Sequence, residues 1–191
     1  MERADIYQQV FEQEDFTNKV LLTGDYEKCE FRHCNFSGTD LSKTFFIDCI
    51  FSGSDLSNVK LHDTAFRNVQ FTGCKMLGLA FENCNRFLLE MNFEGCTLNH
   101  ASFYQLALKK TSFNNSVMHE VGLTEADLRG SSFTNTDLSG AVFDQTNIEQ
   151  ADLRNALHFA IDPEINKIKK AKFSPDALAG LLTKYEIDIS I

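Results

Sequence analysis

Large apolar residues recur at every fifth position of this chain. From Phe11 they fall at Phe16, Leu21, Tyr26, Phe31, Phe36, Leu41, Phe46, Phe51, Leu56, Leu61, Phe66, Phe71, Met76 and Phe81, fifteen in succession. After a step of seven the series resumes at Leu88. It then runs through Phe93, Leu98, Phe103, Leu108, Phe113, Met118, Leu123, Leu128, Phe133, Leu138, Phe143 and Ile148 to Leu153. Neither an α-helix nor an ordinary strand has this period. A fixed internal period marks a repeat architecture. Two positions before the central residue, here called i, stands a small one: Cys29, Cys34, Thr39, Thr44, Cys49 and Ser54 early, Ala126, Ser131, Thr136, Ala141 and Ala151 late. One large and one small inward residue in every five lets the chain turn a corner every five residues. The unit is clearest at 126–155, beginning Ala126-Asp127-Leu128-Arg129-Gly130.

This pattern resembles the pentapeptide-repeat family over about residues 11–157, with Ala126–Gly130 and Thr136–Gly140 as close matches. The resemblance implies an all-β fold, a right-handed quadrilateral β-helix with four five-residue faces per coil. The 29 central residues make about seven coils and, at the spacing of paired strands, a rod about 34 Å long. A four-sided coil stacks central residues twenty apart. Taking the step of seven as one turn gives a face of Phe11, Phe31, Phe51, Phe71, Phe93, Phe113, Phe133 and Leu153. Residues 82–87 then read as a two-residue bulge at a corner.

Both ends depart from the repeat. Residues 1–10 read as a lead-in, 11–160 as the β-helix and 161–191 as a C-terminal cap with a short helix and strand. Ser174-Pro175-Asp176 is a helix start, with Ser as N-cap and Pro at the first position. Leu178, Leu181, Leu182 and Tyr185 follow at i, i+3, i+4 and i+7, one apolar stripe. Glu186 to Ile191 alternates like a strand.

Composition narrows the function. The net charge of −9 rests on residues 1–160, because residues 161–191 sum to zero. Direct nucleic-acid binding is disfavoured, since affinity there comes mostly from cations on phosphates. An acidic body attracts a basic partner surface instead. No apolar run approaches the length of a membrane span, and Met1-Glu2-Arg3-Ala4-Asp5 is unlike a secretion signal, so a cytoplasmic, membrane-free protein is expected. Cys29, Cys34, Cys49, Cys74 and Cys96 occupy the small slot, as does Cys84 in the first register, and none forms a CxxC pair. They read as structural thiols. His33, His62, His100 and His119 fall at i+1 or i+2, outward and without ligand spacing. No catalytic grouping is present, and a rod filled by its own side chains lacks a pocket. Neither an enzyme nor a cofactor is expected.

The outward acids are the candidate site. Asp15, Asp40, Asp55, Asp127, Asp137 and Asp152 all stand at i−1. Asp suits the turn geometry of such a repeat. A regular acidic rod would also match duplex DNA in charge and width. The outward apolar residues Phe45, Ile47, Ile50, Phe87 and Leu89 are denser than scatter, and meet either a partner or the capping segments.

Within the family, the chain resembles members that protect DNA gyrase: the albicidin-resistance and microcin B17-immunity proteins, and the quinolone-resistance group. The similar stretches are Cys74–Gly78, Leu98–Tyr104, Asp127–Phe133, and a tail through Ile161-Asp162-Pro163-Glu164-Ile165-Asn166, Lys172-Phe173-Ser174 and Leu181-Leu182. That resemblance implies a homodimer joined through the C-terminal segment, with Leu178, Leu181, Leu182, Tyr185, Ile187 and Ile189 at its interface. It implies that the acidic rod occupies the DNA-binding saddle of gyrase or topoisomerase IV and guards it from topoisomerase poisons. The long projecting loops of many quinolone-resistance members have no counterpart here beyond the bulge. The alternative is a scaffold of the same family with another partner. A continuous acidic strip favours the first reading and mixed faces the second.

Overall fold

The computed structural model describes residues 4–189, and the chain winds into a four-sided β-helix of about eight turns. Every pairing is parallel. Residue n sits beside n+20 in the first part, as in Ala4↔Gly24 and Phe31↔Phe51, and beside n+22 across one segment, as in Phe71↔Phe93 and Ala80↔Ser102. The register returns to twenty beyond it, as in Asp127↔Asn147. The expected face of stacked rings is present. Phe11, Phe31, Phe51, Phe71, Phe93, Phe113 and Phe133 lie ring on ring, 4.6 to 5.3 Å between centroids. That is the spacing of paired strands, so each coil adds one ring to the column.

Two faces of the first half are true strands. One sheet holds β1 (Ala4–Tyr7), β3 (Gly24–Glu27), β5 (Phe45–Ile47) and β7 (Ala65–Arg67). The other holds β2 (Val10–Glu12), β4 (Glu30–Arg32), β6 (Ile50–Ser52), β8 (Val69–Thr72) and β9 (Met91–Glu94). Elsewhere, apart from a two-residue pair near the C-terminal end, the faces touch their neighbours through single bridges and then turn. The residue at i+2 takes a left-handed conformation at most corners, with φ near +60°, as at Asn58, Asn115, Gly130 and Gly140. Gly and Asn adopt it at little cost, which is why the fifth repeat position favours them.

The small slot does more than exclude bulk. The side chain at i−2 reaches the carbonyl of the central residue one coil below. Ser54 Oγ donates to the Phe31 carbonyl (3.1 Å), Thr136 Oγ1 to Phe113 (2.6 Å) and Thr146 Oγ1 to Leu123 (2.8 Å). The Cys49 thiol donates to Tyr26 (3.1 Å) and the Cys74 thiol to Phe51 (3.4 Å). All six cysteines are free and buried, and burial pushes the Cys49 thiol up to about 12. Five of the six, all but Cys84, donate to backbone carbonyls as short buried groups.

Three local outcomes differ from the sequence reading. First, Asn85 still pairs in the twenty register, its N–H donating to the Thr64 carbonyl, while Val69 already pairs with Met91. The two extra residues therefore fall between Asn85 and Met91, later than 82–87. Leu88, counted as an inward residue, is 65% exposed, and Leu89 packs on the core instead. Second, pairing runs beyond 11–160 at both ends. Strand β1 precedes it, and β10 (Asp152–Leu153) pairs with β11 (Lys172–Phe173). Buried Asn166 fills the small slot of this last turn, donating to the Phe143 carbonyl (3.0 Å). Third, the C-terminal helix is a 3-10 helix, Pro175–Leu181, followed by a second short one, Thr183–Tyr185. Residues 186–189 form no strand, and 190–191 lie outside the described residues.

Candidate interaction surfaces

The i−1 carboxylates are turn caps. Asp15 accepts from the Thr17 N–H (3.0 Å), Asp40 from Ser42 (2.9 Å), Asp55 from Ser57 (2.9 Å) and Asp137 from Ser139 (3.1 Å). Each closes its own corner by the local bonding expected of Asp in turns. Hydrogen bonds from Thr17 hold Asp15 below the usual carboxylate range, and those from Ser42 do the same for Asp40.

Two of the six also hold cations, and a third lies between histidines. Arg129 grips Asp127 with two bonds, Nε to Oδ1 at 2.8 Å and Nη2 to Oδ2 at 2.6 Å, and Lys109 approaches at 3.5 Å. Arg154 grips Asp152 in the same manner (2.9 and 2.6 Å), with Lys172 at 3.9 Å. The bonds from Arg129 and Arg154 lower both carboxyls. Asp137 lies between two histidines, His119 Nε2 on one oxygen and His158 Nδ1 on the other, each at 2.9 Å. Burial pushes the Asp137 carboxyl up, but bonds from His119, His158 and Ser139 outweigh it and hold the group well below the usual range.

The six aspartates do not form one strip. In the column Asp15, Asn35, Asp55, Lys75, Thr97, Val117, Asp137, Leu157, no acid sits beside another. Charge nonetheless separates by side of the rod. The two adjoining faces formed by residues 14–23 and their register partners through 156–165 carry a formal net charge of −8. The other two faces, residues 4–13 and 24–33 with their partners through 166–175, carry +1. Glu14, Asp63, Glu82, Glu120, Glu125 and Asp144 contribute to the acidic side and were absent from the i−1 set. Asp63, Glu120 and Glu125 stand at i+2, Glu82 and Asp144 at i+1 and Glu14 at i−2, so their common side emerges only once the faces are assigned.

The C-terminal segment folds back on the end of the rod. The Ile161 N–H donates to the Gly180 carbonyl (2.9 Å). A Cβ on Gly180 would sit 2.4 Å from the Phe159 carbonyl and 2.6 Å from its ring, so only glycine fits. Lys184 reaches Asp162 (2.9 Å) and Tyr185 donates to Glu164 (2.9 Å). Of the six tail residues singled out, Leu181 packs on the core. Leu178, Leu182, Tyr185, Ile187 and Ile189 are 37 to 56% exposed. With a repeat of three residues and not 3.6, Leu178 and Leu181 fall on one face and Leu182 turns off it, so the expected stripe is broken. Exposed Val142, Leu157 and Ile165 lie on the last coils nearby.

A second apolar cluster surrounds the insertion. The Arg67 guanidinium lies 5.2 Å from the Phe45 ring centroid and 5.3 Å from that of Phe87, held between the two. Among the described residues, no three His, Cys, Asp or Glu side chains converge as a metal site.

Comparison with known proteins agrees with this geometry. No curated protein sequence matches the chain. Two trypsin-treated forms of QnrB1, described as a plasmid-mediated fluoroquinolone resistance protein, share the fold. One superposes with a TM-score of 0.64 at 19% identity over 97% of each chain. The other superposes with a TM-score of 0.63 at 19% identity over the whole of both. The family profile described as "Pentapeptide repeat region" matches residues 25–86 and 77–153. With the five-residue period, the four-sided coil and that match over most of its length, the chain belongs to the pentapeptide-repeat family.

Proposed function

We propose that this protein is a DNA-mimicking rod that binds a type II topoisomerase, DNA gyrase or topoisomerase IV, and modulates it or shields it from topoisomerase poisons. The observation that carries the reading is the −8 gathered on two adjoining faces of the rod. A surface built to hold duplex DNA presents cations, and a one-sided anionic rod fits it in charge and steers toward it. The fold shared with QnrB1 supports the same reading.

The tail supports a dimer. Leu178, Leu182, Tyr185, Ile187 and Ile189, with Val142, Leu157 and Ile165, place exposed apolar side chains around one end. Joining two such ends buries them and doubles the length of the acidic side. Leu178→Asp with Leu182→Asp yields monomers in light scattering with the fold intact by circular dichroism. Persistent dimers remove the tail from the interface.

Gyrase supercoiling, assayed with and without a quinolone or albicidin, tests the main reading. Added protein changes the supercoiling rate or restores it in the presence of drug, and the effect weakens with salt. An unchanged assay under all conditions overturns it. A second reading has its own support: Asp15, Asp40 and Asp55 cap their own turns, and Asp127 and Asp152 are engaged by arginines. These acids serve the fold whatever the partner, as they would in a scaffold that binds another protein.

A further inference from the structure

We propose that the C-terminal half of the side opposite the acidic one binds the phosphate backbone of nucleic acid. The net charge of −9 hides this surface, because the charge is unevenly placed along these two faces as well as between sides. Over residues 106–115, 126–135, 146–155 and 166–175 the formal charge is +5. Lys109, Lys110, Lys167, Lys169 and Lys170 are exposed on one face, spread over three turns of the rod, about 14 Å. Lys110, Lys167, Lys169 and Lys170 enter no ion pair among the described residues, whereas Arg129 is occupied by Asp127.

Two features choose phosphate over an acidic protein. First, no large apolar side chain is exposed on these four segments among the described residues. A protein partner needs such an anchor at the centre of its interface, and a phosphate lattice does not. Second, the free cations are all lysines, point charges on flexible stems. They suit a diffuse array of phosphates, which imposes no fixed bidentate geometry. Gly130, between Lys110 and Gln150 in the register, leaves a hollow bordered by Lys109, Lys110 and Arg129 into which a phosphate oxygen can approach. Screening at physiological salt acts within about 8 Å, so the acidic side, across the width of the rod, does not cancel this face.

The test uses the purified full chain and a fluorescent 20-bp DNA duplex, followed by anisotropy, with no topoisomerase present. Its outcome is therefore independent of the function proposed above. Binding is expected with Kd on the order of 10 µM at about 50 mM salt, weakening about a hundredfold by about 200 mM, the slope for about four phosphate contacts. K167E/K169E/K170E is compared with K43E/K60E/K75E, which makes the same change in net charge on the acidic side. The first set abolishes binding and the second lowers it less than threefold. Equal losses in both mean that only net charge matters and overturn the proposal, as does absence of binding by the parent. Poly-glutamate competing as well as unlabelled duplex would assign the face to an acidic protein and also overturns it. Thermal melts check the fold, and K167Q/K169Q/K170Q replaces the glutamate set if that set melts early.

Discussion

The halves of the rod on either side of the insertion, residues 4–85 and 91–173, share one register and pack it differently. In the first, aromatic rings stand on two adjoining faces and meet edge to face across the corner. Phe46 and Phe51 are 5.2 Å apart at 73°, and Phe66 and Phe71 are 5.5 Å apart at 78°. The second keeps the stacked column of Phe93, Phe113 and Phe133 but sets Leu108, Leu128 and Ile148 beside it. The backbone differs in step. In the first half these two faces are strands, with Val10, Glu30, Phe45, Ile50 and Gln70 at i−1. In the second, strands remain only at the ends (β9, and β10 with β11), and between them Asp127 and Asn147 accept the N–H two residues on and bend the chain into turns. Asp5 and Asp25 lie in strands, so the residue type biases the corner without dictating it. One backbone ladder therefore tolerates two kinds of corner, and the i−1 side chain tips the choice.

The largest expected effect probes the cores. Phe51→Ala removes a ring stacked on both sides and met edge-on by its neighbours, and costs about 4 kcal/mol in urea unfolding. Leu128→Ala costs about 3 kcal/mol. Equal losses would mean that the ring contacts add nothing beyond burial. A smaller effect concerns the small slot, filled by thiols and hydroxyls in the first half and mostly by hydroxyls and alanines in the second. Thr136→Val keeps the volume but leaves the Phe113 carbonyl without its donor, and costs about 1 to 2 kcal/mol. Cys49→Ser keeps a donor to the Tyr26 carbonyl and stays within about 1 kcal/mol of the parent. If the valine variant is as stable as the parent, the slot requires size alone.

The smallest effect depends on pH and belongs to the second half. The folded-state pKa of Asp137 lies below the unfolded value near 3.9. Its contribution is thus complete above about pH 4 and is lost as pH falls through the folded value. Asp137→Asn is less stable than the parent at pH 7, and the two melting curves converge below about pH 4. A gap that stays constant down to about pH 2 would show that the carboxylate charge contributes nothing.

The period of five was enough to read the coil, the stacked phenylalanines and the role of the cysteines as slot fillers. It worked because one inward residue in five must be large wherever the coil closes. Other features needed the coordinates. Leu88 and Leu89 are equally apolar, so hydrophobicity could not say which one enters the core after the insertion. The last turn was hidden because Asn166 is polar, yet it fills the small slot and satisfies a buried carbonyl. The tail stripe assumes a period of 3.6, and the tighter helix breaks it by turning Leu182 off the face of Leu178 and Leu181; of the six residues Leu181 packs on the core. The acids at i−1 were visible from the start. Their partners were not, because Asp127 and Asp152 find arginines two positions on while Asp137 finds histidines a full turn away.

The register of twenty makes length a countable property of this molecule. Excising residues 111–130 would join Lys110 to Ser131, two positions already adjacent in the corner sequence of every coil. All remaining side chains would keep their face, and the rod would shorten by one step of about 4.8 Å. A cut of any number that is not a whole turn would rotate everything downstream onto a different side. The surviving insertion of two shows the exception: a corner can absorb spare residues only by pushing them outward, as Phe87 and Leu88 are. Reach along a partner and the pattern presented to it are thus separate variables, and the first can change by whole turns while the second is preserved.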